Sequence, residues 1–142
     1  MLAEIERLHP ALLKLFAVPA YRLPDDVRAH YVSDRSGHAE EGHVAYVFDL
    51  LLLRASCLTW ISVEFDSYVV ERRSVKTWPL SRLASVETKQ GGVSGGPGWT
   101  GCVIELDDAT ITLPFDDPDR IEQAPSPGRR TLDFAKAIHD VL

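Results

Sequence analysis

Residues 44–115 constrain this chain more than any other stretch. They form a run of short apolar segments broken by glycine and charge, of which 57–65 (CLTWISVEF), 68–87 (YVVERRSVKTWPLSRLASVE) and 102–115 (CVIELDDATITLPF) are the clearest. β-Branched and aromatic residues dominate them, and apolar and polar positions alternate, which is the pattern of half-buried antiparallel strands. Helical periodicity is confined to the two ends. The expected fold is therefore α+β and mainly β, with about six to seven strands bounded by turn residues, an amino-terminal helix and a closing carboxy-terminal helix.

Segment 44–53 (VAYVFDLLLL) opens with β-branched and aromatic residues and reads as a strand, although four leucines also suit a helix. Arg54-Ala55-Ser56 turns the chain into 57–65. There Thr59, Ile61, Val63 and Phe65 share the expected core face, and Leu58, Trp60, Ser62 and Glu64 share the other. Trp60 is either a contact residue or is covered by the amino-terminal helix, and large aromatics on a sheet favour cover. Arg72, Arg73 and Lys76 make one basic patch on the next strand. Such a patch suits an edge strand that resists unwanted pairing, or the docking of an acidic partner or a lipid phosphate. Pro79 limits that strand, Leu80, Leu83 and Val86 return the chain to the core, and a fourth strand runs from Ser85 to about Gln90. Residues 91–101 (GGVSGGPGWTG) lack the lysine, the glycine order and the following helix of a phosphate-binding loop. They read as a mobile hairpin tip with Trp99 either tucked back or left exposed, and an exposed tryptophan is a residue type that anchors interfaces. The last hairpin places Cys102, Ile104 and Leu106 inward, turns at Asp107-Asp108, and returns with Ile111, Leu113 and Phe115 inward.

At the amino terminus Leu2, Ile5, Leu8, Leu12, Leu15 and Phe16 mark one helical face, interrupted at Pro10, where a second short helix can start. The stripe is expected to pack on the β core; its spacing also suits a homodimer seam. Leu23-Pro24-Asp25-Asp26-Val27 predicts a short helix to about Tyr31, followed by a charged loop over 34–42. At the other end an acidic loop over 116–130 holds Asp116, Asp117 and Asp119. Thr131 is then expected to cap a helix to Leu142, with Phe134, Ile138, Val141 and Leu142 inward. The 142 residues fit one domain: an extension at 1–43, a β core at 44–115, and the loop and helix at 116–142.

Charge narrows the function. Of the net −6, residues 103–142 supply nine acids against four bases, so the excess lies in the last third. A negative lobe repels phosphate backbones and anionic lipid heads, which argues against nucleic acid and membrane partners. The start, MLAEIERLHP, carries Glu4, Glu6 and Arg7 where a signal peptide needs an apolar run, and a cytoplasmic location is expected. Cys57 and Cys102 form no metal spacing and are expected to be reduced and buried in strands. The one cluster suggestive of chemistry is His38, Glu40, Glu41 and His43, a ligand set for zinc or iron. Its histidines are five apart, where the helical zinc motif needs four, so solvated loop residues are the expectation. No cofactor is expected.

The run Trp78-Pro79-Leu80-Ser81-Arg82-Leu83-Ala84-Ser85-Val86-Glu87, the 107–113 hairpin and the final amphipathic helix together resemble bacterial pleckstrin-homology-like domains over about residues 44–142. The resemblance implies a partly open antiparallel barrel of two orthogonal sheets, plugged at one end by the closing helix. It also implies binding of proteins or lipids, and not catalysis. The lipid-binding members carry several lysines and arginines in their first hairpin, whereas here that turn offers only Arg54. The expectation is a non-catalytic protein-interaction module of unknown partner, with Trp99, Arg72, Arg73, Lys76 and Trp60 as candidate contact residues. Two alternatives stay open: a small acidic immunity or regulatory protein that neutralises a basic partner, and a metal-dependent hydrolase built on His38 and His43 with Glu40 or Glu41.

Overall fold

The computed structural model describes residues 10–19, 22–34, 45–66, 69–92, 98–113 and 127–142. Among them the chain is α+β and mainly β, with seven strands in two antiparallel sheets. It divides into two compact units, Met1–Thr77 and Trp78–Leu142.

In the first unit the sheet runs in the order β1 (Val27–Asp34), β2 (Ala45–Arg54), β3 (Cys57–Asp66), β4 (Val69–Pro79). β2 and β3 form a hairpin bent at Ala55-Ser56, with Leu53 opposite Leu58, Leu51 opposite Trp60 and Asp49 opposite Ser62. Leu50, Leu51, Leu52 and Leu53 are all buried, so both faces of β2 are out of water. A strand buried on both faces reads as a continuous apolar run, which is why the sequence of β2 also suits a helix. Phe48, Leu50 and Leu52 of β2 join Ile61 and Val63 of β3, Val32 of β1, and Leu15 and Phe16 in one apolar cluster. The last two come from α1 (Pro10–Phe16), which begins at its proline. Pro10 lacks an N–H that the first helical turn would leave unpaired in any case. The helix ends as Ala17 N–H reaches the Leu13 carbonyl at 3.2 Å and Val18 N–H reaches that of Leu15 at 3.1 Å. Residues 1–9 and their share of the apolar stripe lie outside the described residues.

β1 corrects one expectation. Val27–Asp34 is a strand paired antiparallel with β2, not a helix running to Tyr31. Pro24, Asp25 and Asp26 suit a helix start, but the same residues suit a turn, and Asp25-Asp26 form one. The Asp26 carboxylate does not cap a helix; it accepts the Arg54 guanidinium Nε–H at 2.8 Å, next to the pairing of Val27 with Arg54. Downstream, Val27, Tyr31 and Val32 are β-branched or aromatic and pay a rotamer cost in a helix. Tyr31 and Val32, buried on opposite faces of the strand, then favour the sheet.

The second unit begins at the end of β4. Pro79 stops the ladder, a single 3₁₀ turn spans Leu80–Arg82, and β5 (Leu83–Gly92), β6 (Gly98–Leu106) and β7 (Thr110–Leu113) form an up-and-down sheet. The β5–β6 ladder extends from Leu83 opposite Leu106 to Gly92 opposite Gly98, with a shift in register between Leu83 and Ser85. Gly91 and Gly101 are therefore ladder positions, and of the expected tip residues 93–97 lie outside the described residues. Leu106 N–H donates to the Ala109 carbonyl at 2.9 Å and closes the β6–β7 turn. Cys102, Ile104, Leu106, Ile111 and Leu113 are buried as their alternation requires; Phe115 lies outside the described residues.

α2 (Pro127–His139) packs on β5 and β6. It starts four residues before Thr131, with proline again at its first position, so Thr131 is a buried residue inside the helix and not its cap. Phe134, Ala135 and Ile138 form the buried stripe. The helix ends at His139; Val141 is half-buried and Leu142 is 59% exposed. The inward stripe thus stops short of Leu142, because the last residues leave the helix through 3₁₀-type bonds from Val141 to Ile138 and from Leu142 to His139. Among the described residues no helix is long and apolar enough to cross a membrane.

Candidate interaction surface

The most developed polar arrangement among the described residues lies on the β2–β3–β4 side of the first unit. Asp49 sits in the middle of the apolar β2 run and is fully buried, at 0% exposure. A carboxylate there is costly unless donors replace its water. Leu51 faces Trp60 across the ladder, so Asp49 and Trp60 are diagonal neighbours, within reach of a long side chain. The Trp60 indole N–H donates to Asp49 Oδ1 at 3.0 Å. The Lys76 ammonium lies 5.7 Å from the centre of the Trp60 ring, a distance at which the ring's negative face attracts a cation. Asp49, Trp60 and Lys76 thus form a stack running from the buried strand β2 outward to β4. On the other face of β3 the Thr59 and Thr77 hydroxyls meet at 3.3 Å, and Cys57 Sγ lies 3.8 Å from Thr59 Oγ1. These contacts tie the end of β4 to β3.

The described part of the amino-terminal stripe lies away from Trp60. α1 places Leu15 and Phe16 against Leu50, Leu52, Ile61 and Val63, on the sheet face opposite Trp60. Trp60 is half-buried beside Lys76; residues 1–9, the rest of the stripe expected to cover it, lie outside the described residues. Leu58, assigned by alternation to the less apolar face, is nevertheless buried, because β2 and β3 bury part of both faces near their turn.

β4 is an edge of its sheet. From Arg72 to Thr77 every side chain is exposed, including Val75 at 47%. Alternating burial would mark a strand covered on one face; a run of six exposed residues marks one open on both. Lys76 stands over Trp60, and Arg72 and Arg73 lie exposed on the same strand.

The remaining candidates are distributed differently. Trp99 belongs to β6 in the second unit, where its backbone pairs with Gly91; its side chain lies outside the described residues. His38, Glu40, Glu41 and His43 also lie outside them, as does the acidic stretch 116–126. Among the described residues no three histidine, cysteine, aspartate or glutamate side chains gather as a metal site. Both cysteines are free thiols. Cys102 is buried, and burial pushes its thiol up to about 11; Cys57 is half-buried where full burial was expected. The Arg54 hydrogen bond holds the exposed Asp26 carboxyl below its ordinary value. In the second unit the Trp78 indole N–H donates to Asp108 Oδ1 at 3.2 Å. An open groove of about 460 Å³ lies between β5 and α2, with Val86 and Thr88 on one side and Leu132, Ala135, Lys136 and His139 on the other.

Sequence reasoning missed Asp49 as part of this surface. The signal was present: one acid inside VAYVFDLLLL demands a buried donor, and in a hairpin turning at residues 54–56 the tryptophan at 60 is a near neighbour. No protein-family model, curated protein or solved structure matches the chain.

Proposed function

We propose that this chain is a non-catalytic protein-interaction module with a pleckstrin-homology-like core. The observation that supports the functional part is β4: an edge strand open on both faces, bearing Arg72, Arg73 and Lys76, with Lys76 set over Trp60. A protein that needs only solubility blunts its edges with charge. It has no need to seat one of those charges on a tryptophan anchored to a buried carboxylate. Tryptophan and arginine, both present on this side of the sheet as Trp60, Arg72 and Arg73, are also residue types that dominate binding energy at interfaces. The fold part is supported by the order of elements: antiparallel strands in two consecutive up-and-down sheets, then an amphipathic helix. β1 adds a strand from residues the resemblance did not include.

The test is affinity capture of the tagged chain from lysate of its own host, run in parallel with an Arg72→Glu/Arg73→Glu/Lys76→Glu variant. A protein retained by the wild type and lost from the folded variant supports the reading. Capture of nothing, or of the same proteins by both chains at equal yield, contradicts the assignment to this surface.

A further inference from the structure

We propose that β4 accepts an extended acidic segment of a partner protein by strand addition. The proposal rests on the interaction-module reading and names the chemistry of the partner. Strand addition needs an edge, and β4 ends the order β1-β2-β3-β4. It also needs room on both faces for the side chains of the incoming strand, and the six consecutive exposed residues of Arg72–Thr77 leave that room.

Charge selects the occupant. Three cations stand within five residues on a chain whose net charge is −6. Screening over roughly 8 Å at physiological salt makes the local stripe, not the net charge, decide what docks there. Arg72 and Lys76 are four residues apart, about 13 Å along a strand. An antiparallel segment with two carboxylates at the same spacing sets each opposite a cation, the favourable cross-strand arrangement. A second copy of β4 would instead bring like charges together, which disfavours self-pairing. Val75, exposed between the cations, offers an apolar contact for the residues between the acids. Lys76 is already held over the Trp60 ring, so less side-chain freedom is lost when it pairs.

The probe is the synthetic peptide acetyl-Thr-Glu-Val-Thr-Val-Glu-Thr-amide, titrated into the isotope-labelled full chain and followed by amide chemical shifts. Two further forms are N-methylated, one at both valines and one at both glutamates. Because alternate N–H groups of a strand point to opposite edges, strand addition predicts that one methylated form loses binding and the other keeps it. The expected result is shifts centred on residues 72–77, that alternation, and about tenfold weaker binding to Lys76→Glu. Absence of shifts at 72–77, or equal binding of both methylated forms, overturns strand addition. Lys76-dependent retention on phosphatidylserine and phosphoinositide vesicles without peptide binding also overturns it, in favour of a lipid headgroup. A lysate partner that Lys76→Glu still captures overturns this proposal while leaving the interaction-module reading in place.

Discussion

Asp49 takes a hydrogen bond from a donor on the neighbouring strand. A fully buried carboxylate inside an otherwise apolar strand loses its water, and the Trp60 N–H at 3.0 Å replaces part of it. Trp60→Phe keeps the ring for Lys76 and removes that donor; we expect it to cost about 1–3 kcal/mol, read as a lowered urea midpoint. Lys76→Glu alters an exposed residue and is expected to change stability by less than about 1 kcal/mol, which separates binding from folding in the tests above. Cys102 gives a pH signature. Its folded thiol is raised from 9.0 to about 11 by burial, so the unfolded chain releases its proton first. Stability from this group is intact below pH 9 and falls between pH 9 and 11, by on the order of 2 kcal/mol. Urea midpoints of wild type and Cys102→Ala measured across that window should converge as pH rises. Of these residues, burial of Cys102 was legible from the alternation of CVIEL. The Asp49–Trp60 bond was legible only once the turn at 54–56 was placed: the lone acid demands a donor, and the hairpin makes Trp60 its near neighbour.

Among the elements, the sheet hairpins followed from alternation because each strand of them carries its own period. β1 did not, since Pro24-Asp25-Asp26 serves a turn as well as a helix start. The choice between them was made by pairing with β2, which buries Tyr31 and Val32 on opposite faces; the exposed bond from Arg54, twenty-eight residues away, to Asp26 accompanies that pairing. Local propensity cannot contain that information. α2 shows a limit at its boundaries: the Phe134 and Ile138 stripe was readable, whereas Pro127 and Thr131 both suit a helix start, and the stop at His139 carries no glycine or proline to mark it. Ile138 is fully buried and Leu142 is 59% exposed. Ile138→Ala should therefore cost about 2–5 kcal/mol, and Leu142→Ala about 0.5 kcal/mol or less, in chemical denaturation. Similar costs at both positions would contradict the observed end of the helix.

For the molecule as a whole, two features bear on function: its division into two units each with its own sheet, and its uneven charge. The acidic excess in the last third was plain in the sequence, and so was the basic character of β4. What the sequence left open was whether the β4 cations merely protect an edge or present a surface. The exposure of Arg72–Thr77 on both faces and the seating of Lys76 on Trp60 favour a surface. The most direct measurement is amide hydrogen exchange of the chain alone and in complex with a protein captured by it. A partner bound at β4 should slow exchange in residues 72–77 and leave 86–88 and 132–140, along the β5–α2 groove, unchanged. Protection of that groove with none at 72–77 would contradict the assignment and move the contact surface to the second unit.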